Sequence, residues 1–399
     1  MRLLFLFIAV SLVSCSVQKK LAPVPDKVVA QKLQDVLTES VAQYKSLMQI
    51  APAGALPRTF EKGELKTTKS EGWVSGFYPG TLLYLYEYSK DKSLLAEAET
   101  KMKLLEKEQY NKNTHDLGFM MFSSFGNANR IDHDKAYDSI LVHAARSLCT
   151  RFNPKVGCIR SWNSDTAHFV VIIDNMMNLE LLMYAFKLTN DSSFYHVAVT
   201  HANTTLKNHF RPDNSSYHVV DYDPRTGAVL AKRTHQGAAD ASAWARGQAW
   251  GLYGYTMMYR LTNNEVYLQQ ANSIAAFMLH HPNLPADKVP YWDFNAPGIP
   301  NAYRDASAGA IMSSALLELS QYASAANKKE YYDAATAILK NLSEKPYKTV
   351  GTEAGGFILQ HSVGHLPGKS EVDVPLSYAD YYFVEAAMRY LGKLKNNKP

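Results

Sequence analysis

The sequence predicts an all-α fold, an (α/α)6 toroid or barrel of six helical hairpins, and three observations carry that prediction. Apolar residues recur at helical spacing in segment after segment, whereas strand-like alternation is scarce. Short polar links join helices in pairs, at Lys90-Asp91, Thr189-Asn190-Asp191 and Thr262-Asn263-Asn264, and links this short force the paired helices antiparallel. Long loops rich in aromatics and Gly, at 50–78, 110–133, 210–242 and 281–304, alternate with those tight turns. Loops gathered at one end favour a closed ring with its function there over an open helical solenoid.

The chain opens with a basic start, Met1-Arg2, and an apolar run from Leu3 to Val13 that ends at Ser14-Cys15. A run this short cannot cross a hydrocarbon core, which needs about twenty residues, so residues 1–14 read as an export signal removed from the mature protein. Leu12-Val13-Ser14-Cys15 resembles the lipobox of bacterial lipoproteins, which implies a lipid on Cys15 and an exported protein on the periplasmic face of a bacterial membrane. Residues 15–25 are polar and proline-containing, a short tether. Residues 26–399 are expected to form a single domain.

Helices are expected near 26–49, 79–90, 91–109, 134–151, 168–189, 191–210, 243–262, 264–280, 305–324, 328–343 and 374–394, with a short one at 115–123. The second helix of several pairs opens alike, as in Lys92-Ser93-Leu94-Leu95, Ser192-Ser193-Phe194-Tyr195 and Glu265-Val266-Tyr267-Leu268, the mark of a repeating hairpin. Cys149 and Cys158 are too few for a disulfide scaffold; they read as a single bridge or as buried thiols.

Candidate chemistry begins at Thr114-His115-Asp116, where a His-Asp pair opens an apolar segment. The alternative there is a simple helix cap. Asp174 interrupts the apolar run Phe169 to Leu182, and a carboxylate in such a place needs either partners or a proton. Two carboxyls converging on one pocket push their pKa values apart, as acid catalysis on a sugar requires. Arg246 and Trp250, four residues apart, share a helix face, where a guanidinium can fork onto a carboxylate and an indole can stack on a sugar. The small residues at 243, 245, 247, 249, 251 and 254 let that helix approach its neighbours closely. Trp73 and Trp162 suit subsite walls, and His218, His235 and Gln236 suit hydroxyl contacts.

Loss of the leader takes only Arg2 from a formal charge of +5, too weak a surplus to argue for nucleic acid. No His-Glu-x-x-His, Cys-x-x-Cys, phosphate-cradling Gly loop or Gly-x-Ser-x-Gly occurs, so no metal or cofactor is expected. The stretch from Asp221 to Gly227 lacks the ligand spacing of a calcium loop and reads as a turn.

Taken together, Gly72-Trp73, His115-Asp116, Ile173-Asp174-Asn175, His235-Gln236-Gly237 and the run Trp244-Ala245-Arg246-Gly247-Gln248-Ala249-Trp250-Gly251 resemble the unsaturated glucuronyl hydrolases, family 88 of the glycoside hydrolases. So do Ser370 to Leu376 and Tyr378 to Phe383, and the likeness spans almost the whole mature chain. Unsaturated rhamnogalacturonyl hydrolases usually show Arg-Gly-Asn-Gly-Trp where this chain has Arg246-Gly247-Gln248-Ala249-Trp250, which favours the glucuronyl branch.

The resemblance implies a substrate made by a polysaccharide lyase, a glycosaminoglycan oligosaccharide with a 4,5-unsaturated uronic acid at its non-reducing end. It implies hydration of the C4=C5 double bond in place of attack at the anomeric carbon. Asp174 would protonate C4 and activate water, with Asp116 tuning it. Arg246 would face the substrate carboxylate, Trp250 and Trp73 the ring, and His115, Trp162, His218, His235 and Gln236 would line the pocket. A non-catalytic glycan-binding lipoprotein is the rival from another class.

Overall fold

The computed structural model describes residues 25–163 and 165–394; the leader, Cys15 and all of the tether except Pro25 lie outside them. In chain order, α1 (Lys27–Ile50) is followed by the β1 (Leu56–Glu61) and β2 (Glu64–Thr68) hairpin, then by α2 (Phe77–Ser89) and α3 (Lys92–Leu105). A π-helical stretch, Gly118–Gly126, passes into α4 (Asn127–Ile131), and α5 (Lys135–Cys149), β3 (Phe152–Asn153), β4 (Cys158–Ile159) and β5 (Phe169–Ile172) come next. A 3-10 turn, Ile173–Asn178, leads into α6 (Leu179–Thr189) and α7 (Ser192–Asn208). The remaining elements are β6 (Val219–Tyr222), β7 (Val229–Arg233), α8 (Ala245–Thr262), α9 (Glu265–His280), α10 (Ala306–Leu319), α11 (Ala325–Leu342), β8 (Ser362–His365), β9 (Ser370–Val374) and α12 (Ser377–Tyr390).

Burial sorts the helices into two rings. On α1 only one stripe is covered, through Leu33, Val36, Leu37, Tyr44 and Leu47, the spacing of a helix with one wet face. All of α10 and residues 245–258 of α8 are buried, as a helix wrapped on every side must be. The inner ring runs α2, the 118–131 segment, α6, α8, α10, α12 and back to α2, each touching the next. Outer and inner elements alternate along the chain from α1 to α12, which gives the six hairpins of an (α/α)6 toroid.

Three turns use one device. Lys90, Asn190 and Asn263 are left-handed, with φ of 62°, 57° and 53°, and each ends an inner helix. The next residue, Asp91, Asp191 or Asn264, caps the outer helix by accepting from the amide two residues on. The residue before, Ser89, Thr189 or Thr262, accepts from that capping residue's own amide. This triplet is the repeat signal in the sequence, expressed as hydrogen bonds.

The segment expected to be helical at 168–189 is divided. Residues 169–172 are the strand β5, pairing antiparallel with β6, which pairs with β7. The β-branched run Val170-Val171-Ile172 suits a pleated surface, and the 219–233 hairpin supplies the hydrogen bonds that make a strand there. The short helix expected at 115–123 is the π-helical stretch, set three residues later. Asp223 accepts from the Arg225 and Thr226 amides and closes the expected turn between β6 and β7. Cys149 and Cys158 are free thiols, Cys158 fully buried.

Candidate active site

Five inner α-helices, or the short helical turns that lead into them, begin at the same end of the barrel, with the π-helical stretch as the sixth. Positive helix N-termini there suit an anionic guest. Loops 50–78, 110–133 and 210–242 cross this end, and they bring Trp73, His115, Asp116 and Gln236 to a cavity of about 100 Å³. Asp174, Arg246 and Trp162 line it as well.

Close backbone contact sets the spacing. Gly118 lies against Asn178, where a Cβ would come within 2.5 Å of the Asn178 Cα, and the Phe119 amide donates to Asn178 Oδ1 at 3.1 Å. The segment carrying Asp116 is thereby locked to the turn carrying Asp174. On the other side, Gly247, Gly251 and Gly254 of α8 face Ile173 and Met176 of the same turn, the close approach expected of that small-residue run.

Burial raises the pKa of Asp174 to about 7. Arg246 opposes this, Asp116 adds to it, and the Trp250 indole N–H favours the charged carboxylate. Burial likewise raises Asp116 to about 7, against a hydrogen bond from Thr114 and the charge of Arg151, so the two carboxyls are not parted as expected, because burial acts on both alike. His115, with Nε2 3.2 Å from Asp116 Oδ1, is lowered to about 3, by burial first and then by Arg151. His218 is also pushed well down by burial and by His235. Its Nδ1 accepts from the amides of His235 and Gln236, so the neutral ring carries its proton on Nε2, 3.7 Å from Asp174 Oδ2.

Five buried polar atoms here make no hydrogen bond with the protein: His115 Nε2, Asp174 Oδ2, His218 Nε2, Arg246 Nε and Trp250 Nε1. Buried groups left this way fit a site that a polar guest and water complete.

Three expected contacts take other forms. Trp250 is fully buried, packed on Phe119 and Tyr382 at 5.0 and 5.3 Å, so its face is closed to a sugar and only its unpaired Nε1–H is left to act on Asp174. His218 lies behind Asp174, beneath Trp162, and is closed to a hydroxyl of bound sugar. His235 is exposed on the rim, its ring 5.0 Å from Trp162 and 4.6 Å from His365.

Arg246 also departs from expectation. Its fork is engaged by protein: Nη1 donates to Asp305 Oδ2 at 3.1 Å and to the Val363 carbonyl, and Nη2 to the Gly364 carbonyl at 2.5 Å. The ring of Trp244 covers it at 4.5 Å. Arg246 therefore ties the β8–β9 hairpin to the site. That hairpin and its flank hold His361, Lys369, Glu371 and Asp373 left-handed, each an unfavourable backbone for a non-glycine residue. Arg58 grips Glu371 through two bonds of 2.6 and 2.8 Å, a second fastening.

Phe119 and Ile172 line the cavity and were not singled out from the sequence. Nor was Arg151, which donates to the carbonyls of Lys112, Arg160 and Ser161 and to Asn163, holding the loops of Asp116 and Trp162 together. Its only sequence signal was a charge at the end of an apolar helix.

No family model matches the chain. It is 49% identical over 323 residues to the unsaturated glucuronyl hydrolase of Formosa agariphila, covering 80% of each chain. It is 33% identical over 341 residues to the unsaturated chondroitin disaccharide hydrolase of Streptococcus agalactiae serotype III, covering 84% of this chain and 85% of that one. Among solved structures, an unsaturated glucuronyl hydrolase specific for heparin superposes with a TM-score of 0.88 at 48% identity, over 91% of this chain and 97% of the other. That of Bacillus sp. GL1 gives 0.84 at 28% identity, over 90% and 96%. Fold and relatives define a glycosidase. The chain belongs to the unsaturated glucuronyl hydrolases.

Proposed function

We propose that residues 26–399 act as one catalytic domain that hydrates the C4=C5 double bond of an unsaturated uronic acid on lyase-generated glycosaminoglycan oligosaccharides. The observation that carries the reading is the pair of carboxyls, Asp174 and Asp116, both held near pKa 7 in one cavity. A carboxyl poised there can give a proton and then take one back at neutral pH.

Asp174 donates its proton to C4, and positive charge develops at C5, shared with the ring oxygen. Water adds at C5 and returns a proton to Asp174. The hemiketal so formed opens by breaking the bond from C5 to the ring oxygen, which leaves a ketone at C5 and a hemiacetal at C1. Collapse of that hemiacetal to an aldehyde expels the next sugar with a proton on its oxygen. Asp116 raises the pKa of Asp174 and holds the ring; His218, with its proton on Nε2, steadies Asp174 from behind. Arg246 supplies positive charge and its unpaired Nε–H to the uronate carboxylate, while Trp73, Trp162, His115 and Gln236 wall the ring.

Loss of ultraviolet absorbance from unsaturated disaccharides of chondroitin, hyaluronan and heparin measures this directly. Turnover of at least one is expected; undiminished absorbance across the panel would sink the reading. We propose further, from Cys15 and the preceding apolar run, that the mature protein is a lipoprotein on the periplasmic face of a bacterial membrane. Palmitate labelling lost in Cys15→Ser checks that.

A further inference from the structure

The path of the chain says which way the cleft faces. We infer that the end of the barrel opposite the cleft rests on a phospholipid surface, so that the cleft opens away from the bilayer. The inference rests on the reading of Cys15 as the lipid attachment point.

Asp26 opens the fold as the cap of α1, accepting from the Val28 and Val29 amides at 2.8 and 3.1 Å. Its own amide donates to the Tyr390 hydroxyl at 3.0 Å, at the last residue of α12. The first turn of α12 is at the cleft, where the Tyr378 ring lies 4.9 Å from Trp73. Fourteen residues carry α12 about 21 Å down the barrel, so Tyr390 and Asp26 lie at the far end. From there α1, with 24 residues, climbs about 36 Å along the outside, and β1 follows it at the cleft end.

Residues 16–25 separate Cys15 from Asp26. Ten residues reach at most about 33–36 Å when fully extended, and a flexible chain of that length spans about 16–19 Å. For the cleft to face the bilayer, the tether would have to run back up the whole of α1 with no slack left. With the far end down, the ten residues are long enough with slack to spare.

The far end also offers a membrane something to touch. Leu188, Tyr195 and Val266, at the α6–α7 and α8–α9 turns, are 43%, 38% and 47% exposed, and Val28 at the start of α1 is 79% exposed. Beside them opens a groove of about 290 Å³ where Met183, Phe186 and Leu261 lie together with the charged Glu180, Lys187 and Arg260. Apolar side chains beside a lipid tether suit the interface between headgroups and acyl chains.

The test uses the full-length lipidated protein in vesicles of phosphatidylethanolamine and phosphatidylglycerol that carry a headgroup-linked fluorescence quencher. One variant, Val266→Cys, is labelled at the far end; another, Val350→Cys, is labelled at the cleft end, where Val350 is 64% exposed. The unsubstituted protein sets the background from Cys149 and Cys158. Quenching at least fivefold stronger at 266 than at 350 is expected, with kcat/KM on a soluble disaccharide unchanged between vesicle-bound and detergent-dispersed enzyme. Equal or reversed quenching, or a tenfold fall in kcat/KM on vesicles, would overturn the orientation while leaving the lipoprotein reading standing. Absence of lipid from the N-terminal peptide by mass spectrometry would overturn both.

Discussion

Asp174 is asked to be an acid and then a base, and its surroundings are matched to both tasks. Burial raises it to about 7, and the charge of Arg246 first, with the Trp250 N–H after it, keeps it from rising further. Asp174→Asn removes both functions; kcat should fall roughly 10²- to 10⁴-fold with KM little changed, the size of a lost general acid–base group. In the parent enzyme kcat should decline as pH rises through about 7, because the proton bound for C4 is lost there. Trp250→Phe removes the indole N–H whose influence lowers the Asp174 pKa, so the same limb should move to higher pH; a limb that stays put would remove the indole from this role. Stability follows the same sign. A carboxyl whose folded pKa is raised disfavours the fold above that pKa, and the effect fades as pH drops toward the unfolded value near 3.8. Asp174→Asn should therefore melt higher than the parent at pH 8, with the gap closing by pH 4. These roles were only partly legible in the sequence. Residue type announced that Asp174, Arg246 and Trp250 carry chemistry, but not that the indole would offer its edge, nor that Asp305 and β8 would take the guanidinium fork.

At the scale of elements, the hairpins were readable because each turn is local: a Ser or Thr, a left-handed residue and a capping Asp or Asn lie within three positions. The strand β5 was not readable. Its run of Val and Ile fits a buried helix as well as a strand, and its partner β6 lies some 50 residues away. The π-helical stretch was expected as a short helix three residues earlier; its register goes with the Gly118–Asn178 contact, which its own periodicity does not show. That contact can be tested. Gly118→Ala places a methyl against backbone, which has little room to move, and overpacking of this kind costs about 1–3 kcal/mol. The melting temperature should fall, and kcat should fall further than lost stability explains, because Asp116 shifts with the segment. An unchanged kcat in the folded variant would show that the two carboxyls tolerate relative movement.

Viewed whole, the barrel is closed below the cleft. The inner elements bring charged side chains together, with signs that alternate from Glu87 of α2 through Arg130 of α4, Glu180 of α6, Arg260 of α8 and Glu318 of α10 to Arg389 of α12. Arg130 holds Glu87 at 2.8 Å, Arg260 meets Glu180 and Glu318 at 2.7 and 2.6 Å, and Glu318 meets Arg389 at 2.8 Å. Glu385 joins them, accepting from the hydroxyls of Tyr84, Tyr253 and Ser314. Removing one partner strands buried charge, so Glu318→Gln should destabilise the fold by about 3–5 kcal/mol in thermal melts. Burial works to raise the pKa of Glu318, but Arg260 and Arg389 prevail and hold it below its ordinary value. Its contribution is thus complete above about pH 4.5 and is lost as pH falls through the depressed value. The acid-induced drop in melting temperature should be shallower in Glu318→Gln than in the parent.

That girdle, with the Phe119, Trp250 and Tyr382 rings above it, gives the barrel a floor. That floor divides the cleft from a smaller cavity of about 70 Å³ among the charged side chains below it, so both products are expected to retreat through the cleft mouth by which substrate came. On the proposed reading the shortened oligosaccharide stands nearer that mouth and is expected to leave first. The freed uronate is then expected to leave second and to hold off the next chain end, which competitive inhibition by added uronate would show.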